Sequence, residues 1–415
     1  MSAQTDPEEC RPQAKGEGGR RGWLRVAACC MSAGSLGWHD ACGGPLIPDI
    51  QARLALDYTQ VSLIFIGSFI GYLVASLLNV ALVRRFGLAK VFALGAALQI
   101  CGCVALAAGL PFVPFVTAYG LAGLGLALQD AQLNTHISGL ANSSAILGVA
   151  HALYGLSGMV APIVATALLE RRMPFYAFYY TNLAWSILTA IAVLIGFNLW
   201  SPTGVASLPQ VDERAPLLPE RPDVPVSISV VLRSRAVVAA LVFVVLYVGS
   251  EIGEAGWIAS FLLHERGGGV RSGWGTAAFF AGITTSRVLL LPINRLLGEK
   301  RAVTVYIIIA AAAQVVVWVV RDYWVDLSAV LLFGFAFGPM YPIAISLVTK
   351  STPQSYHSAA VGLMACLGQA GSAFFPFVVG ALSERFGVAV LQPVQLVLAA
   401  VMLAAWLAIP GATSG

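Results

Sequence analysis

Between Trp23 and Pro410 the chain returns twelve times to apolar stretches long enough to cross a lipid bilayer. A hydrocarbon core of ~30 Å takes about 20 helical residues at 1.5 Å each. Windows of about 19 residues place the spans near 24–46, 58–82, 88–110, 114–140, 144–169 and 177–200, then near 236–263, 273–297, 301–320, 326–349, 355–382 and 388–410. No other feature constrains the fold so tightly. In hydrocarbon an unpaired backbone N–H or C=O costs so much that a spanning segment of this length must be a helix. Composition points the same way. Of 415 residues, 58% are hydrophobic and 11% are charged, where a soluble domain carries about 45–50% and roughly 25%. That is too little charge to cover a water-facing surface, so soluble, disordered and DNA-binding readings all fail. The fold class expected is an all-α polytopic membrane protein with twelve transmembrane helices.

The spans fall into two sets of six. Residues 201–235 hold Pro202, Pro209, Pro216, Pro219, Pro222 and Pro225 among acidic residues, the composition of a solvated linker. The domain reading is therefore a polar tail over 1–22, a six-helix bundle over 23–200, a linker over 201–235 whose last part (226–235) suits a short interfacial helix, a second bundle over 236–410, and a tail over 411–415. The first 22 residues lack the short apolar core and cleavage site of a secretory signal. Seven cysteines, odd in number and without a CxxC pair, read as packing thiols rather than a zinc or disulfide framework.

An internal repeat relates the halves. Gly71 and Gly87 match Gly282 and Gly298 at an offset of 211 (282 minus 71, 298 minus 87), and APIVATALLER (161–171) echoes FPFVVGALSER (375–385) at an offset of 214. Such parallel copies are a pattern of transporters whose six-helix halves are related by an axis along the membrane normal.

Ionisable residues inside spans are costly, ~2.5–3.5 kcal/mol even on an insertion scale, and normally line a cavity or an ion path. They are His39 and Asp40 in span 1, Asp130 and His136 in span 4, His151 in span 5, Glu251 and Glu254 in span 7, and Arg287 in span 8. Asp40 and Glu251 are again 211 apart, which in a pseudo-two-fold bundle puts one acid from each half at equivalent depth. Asp130 and Asn134 share a helix face, with Gln129 and Gln132 on an adjoining stripe. Four such side chains in six residues suit a substrate or proton role, the alternative being an interhelical polar clamp. His151 and Tyr154, at i and i+3, form a possible donor–acceptor pair. Glu254 with Trp257 suits a ligand with hydroxyls or a cationic group, and Arg287 suits neutralising an acid across the cavity. Gln314 and Gln369 are further cavity donors, and Trp38, Tyr154, Trp257 and Tyr341 are aromatic surfaces for a ring-shaped ligand.

GWHDACGGPLIPDIQ (37–51), GLGLALQDAQLN (123–134), HALYGLSGMVAPIVAT (151–166) and YVGSEIGEAGWI (247–258) resemble the fungal bypass-of-stop-codon transporters, relatives of the fucose permeases within the major facilitator superfamily. The resemblance covers almost the whole chain. It implies two pseudo-symmetric six-helix bundles and a proton-coupled carrier working by alternating access, with Asp40 and Asp130 at the places where fucose permeases handle proton and sugar. The further expectation is a monomer in the plasma membrane whose partners are a small-molecule substrate, protons and the bilayer, with no nucleic acid, cofactor or metal. Two departures stand out. The superfamily signature after span 2 is reduced to Val83-Arg84-Arg85-Phe86-Gly87, with Arg84 where an acid belongs, and the antiporter signature in span 5 is reduced to Gly158 and Ala161-Pro162.

The expected function is therefore secondary active transport of a small organic solute, with uptake of a sugar-like molecule and export of a secondary metabolite both open. Asp40, Asp130 and Glu251 are assigned to proton coupling. Trp38, Gln129, Asn134, His151, Tyr154, Glu254, Trp257 and Gln369 are assigned to substrate, and Arg287 is the charge partner. The chain has no P-loop, HExxH or GxSxG, so nucleotide-driven transport and familiar hydrolase chemistry find no support. A membrane-embedded enzyme and a non-transporting receptor on a carrier fold are the competing classes.

Loop charge sets an expected orientation. With the N-terminus inside, the cytosolic segments carry 16 of the 24 Lys and Arg residues against 7 on the other side, Arg287 lying within a span. Reporter fusions at residues 1, 210 and 415 are expected to read cytosolic, and the sequon at Asn142 to carry no glycan. A glycosylated Asn142 would invert the placement of spans 4 and 5.

Overall fold

The computed structural model describes residues 20–140, 142–199 and 228–409. Of the expected tails and linker, only residues 20–22 and 228–235 are among those described. All regular structure among the described residues is helical. The first bundle contains α1 (Arg20–Ala41, resuming as Gly43–Leu54), α2 (Tyr58–Phe86), α3 (Leu88–Ala107), α4 (Phe112–Ser138), α5 (Ser143–Glu170) and α6 (Tyr176–Gly196). The second contains α7 (Arg235–Arg266), α8 (Trp274–Leu289, then Leu291–Leu297), α9 (Glu299–Val319), α10 (Tyr323–Phe337, then Met340–Ser351), α11 (Gln354–Phe386) and α12 (Leu391–Ala408). A single turn, Ile228–Val231, stands where the interfacial helix was expected.

Among the described residues ten helices are long and apolar enough individually to cross a membrane, and α8 is an eleventh once its two pieces, bent by 61°, are joined. The twelfth, α1, is diluted by Arg25, His39 and Asp40. Three spans that read as continuous in sequence are broken. The α8 break follows from Pro292, whose ring displaces the carbonyl four residues back and which has no N–H to give. Gly338-Pro339 interrupts α10, and in α1 the run Gly43-Gly44-Pro45 follows the turn at Cys42.

The repeat is a repeat of contacts. α1 packs on α5 and α6 as α7 packs on α11 and α12; α4 takes α2 and α3 as α10 takes α8 and α9; α3 meets α6 as α9 meets α12. At atomic scale a Cβ on Gly71 would stand 2.0 Å from Gly120 O and 2.6 Å from Leu124 N, and one on Gly282 would stand 2.2 Å from Leu331 O and 2.5 Å from Phe335 N. All three positions are related by 211. Small residues let these backbones touch, which is how helices associate where lipid removes the hydrophobic drive. The turns between paired helices repeat too: Gly87 (φ +80°) and Gly298 (φ +77°) both sit where side-chain-bearing residues are strained.

The bundles meet through α5 against α8 and α2 against α11. These contacts run from mid-membrane to the face opposite the chain ends. There Gly44 abuts Ala255 O, Gly273 abuts Thr166, Gly380 abuts Ser62, and the Tyr58 amide donates to Glu384 Oε2 at 2.9 Å. Toward the face carrying the chain ends, Gly148 and Gly362 meet nothing within 4 Å. The halves are thus sealed at one face and parted at the other.

One buried ion pair was not apparent in the sequence. Arg266 Nε donates to Asp326 Oδ2 at 2.6 Å with both side chains nearly inaccessible (7% and 0%), and Arg266 Nη2 donates to Val317 O at 2.6 Å. The pair ties the end of α7 to the starts and ends of α10 and α9. Removing one partner strands a buried charge, so Asp326→Ala is expected to lower folding stability by about 3–5 kcal/mol, read as a fall in detergent melting temperature. A melting temperature equal to wild type would show the pair to be dispensable.

Candidate functional site

Between the bundles lies a cavity of about 340 Å³, within the usual range for small-molecule sites, ~300–1,000 Å³. It opens toward the face carrying the chain ends, where lining residues His151 and Gln369 are exposed. Asp40 from α1, Asp130 from α4, His151 and Tyr154 from α5, Glu251 from α7, Arg287 from α8 and Gln369 from α11 all line it. The structure therefore gathers residues separated by more than 300 positions around one cavity, two acids from the first half and one from the second among them.

Asp40 and Glu251 become neighbours because α1 and α7 face each other across the pseudo-two-fold axis. Tyr154 Oη donates to Asp40 Oδ2 at 3.1 Å, a link from α5 back to α1. Close approach of the two helices depends on Gly37, where a Cβ would stand 2.1 Å from Tyr154 O. On the other side the Tyr247 hydroxyl donates to Phe337 O at 3.3 Å and faces Glu251. Arg287 is placed to act electrostatically on Glu251, Tyr154 and His151. It forms no direct ion pair with a carboxylate among the described residues.

The polar stretch in α4 divides by face. Asp130 reaches the cavity, and Asn134 supports it from one turn away, donating Nδ2 to Asp130 Oδ1 at 2.9 Å without itself lining the cavity. Gln129 points the other way. It is fully buried, accepts from Ser32 Oγ at 3.2 Å and donates to Gln99 Oε1 at 2.8 Å; Gln99 in turn donates to Ser35 Oγ at 2.8 Å. That chain clamps α1, α3 and α4. Gln132 makes a second clamp, donating to Asn79 Oδ1 of α2 at 2.6 Å.

Three more of the residues assigned to substrate lie off the cavity wall. Trp38 stacks on Phe178 (centroids 5.9 Å apart) and donates Nε1 to Thr181 Oγ1 at 3.1 Å, inside the first bundle. Trp257 is fully buried, donates to Pro376 O at 2.9 Å and packs against Tyr58 and Phe65 of the other bundle, as part of the seal. Glu254 is buried beside Gln395 of α12. Sequence reading passed over Tyr72, Tyr119 and Tyr247, which join Tyr154 and Tyr341 on the wall. Tyrosine in an apolar helix carries no signal of its own. His39, beside Asp40, also lines the cavity, with its Nδ1 3.0 Å from Asn182 Nδ2.

Since Gln129 bonds only to protein and Asp130 faces open space, the two should part in experiment. Gln129→Ala leaves buried partners unpaired, a cost of ~1–3 kcal/mol, and is expected to lower the melting temperature and yield. Asp130→Asn keeps the shape and the Asn134 contact and should melt near wild type. Equal destabilisation by both would make the whole stretch a structural clamp.

Comparison with known proteins places this architecture in context. The family model described as Major Facilitator Superfamily matches residues 29–376. Bypass of stop codon protein 6 of Saccharomyces cerevisiae is 25% identical over 411 residues, covering 93% of this chain and 82% of that protein. Among solved structures, the nucleoside transporter NupG superposes with a TM-score of 0.70 at 13% identity, covering 94% of this chain and 98% of that one. The peptide transporter POT in complex with sulfate superposes with a TM-score of 0.69 at 14% identity, covering 92% and 94%. At these identities the two structures establish a common fold.

Proposed function

As the chain belongs to the major facilitator superfamily, we propose that it is a secondary active carrier moving a small organic solute by alternating access, coupled to protons. The observation that carries the reading is the cavity on the pseudo-two-fold axis, with Asp40 and Glu251 contributed symmetrically by α1 and α7 and Asp130 beside them. A cavity sealed at one face and parted at the other is one end-state of a rocking cycle. The glycine contacts within each bundle suit motion of the halves as rigid bodies.

The wall also favours a class of solute. Three carboxylates and a single guanidinium on the wall disfavour an anion, because like charge is repelled as it approaches them. Five tyrosines, His151 and Gln369 offer hydroxyl-rich and ring-stacking contacts. A neutral polyhydroxylated molecule or a cationic ring compound fits, which covers both sugar-like uptake and metabolite export. The loop charges favour a cytosolic placement of the chain ends, and so an inward-facing state. Monomeric action is consistent with a site wholly contained in one chain.

Reconstitution in liposomes tests coupling. With a transported solute found among sugars, nucleosides and cationic ring compounds, wild type should accumulate it, or expel it, under a pH gradient. Asp40→Asn and Glu251→Gln should abolish gradient-driven accumulation, and exchange between equal compartments should survive in at least one, because exchange needs no net proton movement. Full gradient-driven transport in both variants would remove this pair from coupling.

A further inference from the structure

α7 carries a second acid that takes no part in the cavity wall. Glu254 is completely inaccessible between α7, α9 and α12. From α12, Gln395 donates Nε2 to Glu254 Oε2 at 3.2 Å and to Ser250 O at 3.0 Å. The orientation of that amide is set at its other end, where Ser250 Oγ donates to Gln395 Oε1. From α9, the equally buried Gln314 faces the same carboxylate. Glu254 Oε1 and both amide atoms of Gln314 lack a hydrogen-bond partner among the described residues.

Among the described residues no charged group faces Glu254. α9 presents Gln314, α12 presents Gln395, and on α7 itself the neighbouring acid Glu251, one turn earlier, is on the cavity wall near Arg287. An ionised carboxylate here would be fully buried without a counter-charge, which is the costliest way to bury one. The Gln314 amide can present either its oxygen or its nitrogen toward the carboxylate, and the charge on Glu254 decides which. With a proton on Oε1 the group is neutral, its O–H donates to Gln314 Oε1, and its Oε2 still accepts from Gln395. Two orphaned oxygens are satisfied by one proton.

We propose that Glu254 holds a proton in this dry pocket, a second proton site outside the solute cavity and one helical turn from Glu251. The burial that keeps a solute from Glu254 is what lets it keep a proton. Because the site is read in the resting protein without any solute, it stands or falls separately from the carrier function.

Infrared spectroscopy of the purified full-length protein at neutral pH, in H₂O and D₂O, tests it. The wild-type minus E254Q difference should contain the C=O stretch of a protonated carboxyl, shifted by deuterium. Q314L, which removes the acceptor, should move that band to higher frequency without abolishing it, and this variant carries the test if E254Q does not fold. A protonated-carboxyl region unchanged by either variant overturns the proposal. So does an ionised carboxylate band that E254Q removes and that shifts when sodium replaces choline, since the site would then hold a metal cation.

Discussion

A bilayer interior offers no hydrogen-bond partner, and most of this structure follows from that. Backbone groups are satisfied within helices. Short hydroxyls such as Thr166 and Thr284 bond back to their own helix, and longer polar side chains bond to another helix or face the water-accessible space between the bundles. The six residues from Gln129 to Asn134 show both within little more than one turn. Gln129 and Gln132 lock α4 to α1, α3 and α2, while Asp130 turns to the cavity with Asn134 behind it. The clamps hold the first bundle as one body, and that rigidity positions the acid.

Close packing supplies the second constraint. Between α2 and α4, and again between α8 and α10, a glycine lies so near the opposing backbone that no Cβ fits. Dispersion and interhelical hydrogen bonds replace the missing hydrophobic drive, and both need such proximity. Where the bundles meet, the same device appears at Gly44, Gly273 and Gly380, but only toward one face. Tight packing inside each bundle, with a one-sided seam between them, leaves a cavity that is open toward one face only.

Charge is distributed unevenly across that frame. The first bundle brings Asp40 and Asp130 to the cavity, and the second brings Glu251 together with Arg287. Glu254, on the same helix as Glu251, is sequestered among amides. Arg266 and Asp326 neutralise one another near the sealed face. Each buried ionisable group thus has its own compensation: a cavity, a counter-charge, or neutral hydrogen bonding.

The sequence by itself determined the class of fold, the twelve spans and their division into two related halves, because span length, apolarity and glycine spacing are local properties that hydrocarbon enforces residue by residue. It also identified most of the cavity's charges, since an ionisable residue within a span stands out against its neighbours. It left undecided which way each polar side chain faces. Trp38, Gln129, Glu254 and Trp257 had the same credentials in sequence as His151 or Tyr154, and Tyr72, Tyr119 and Tyr247 on the wall had none. Helical periodicity gives an angle about one axis, but whether that angle meets the cavity, lipid or another helix depends on how twelve axes are arranged. The Arg266–Asp326 pair and the one-sided seam belong to that arrangement too. They join residues far apart in the chain, and only the packed tertiary structure brings such residues within contact distance.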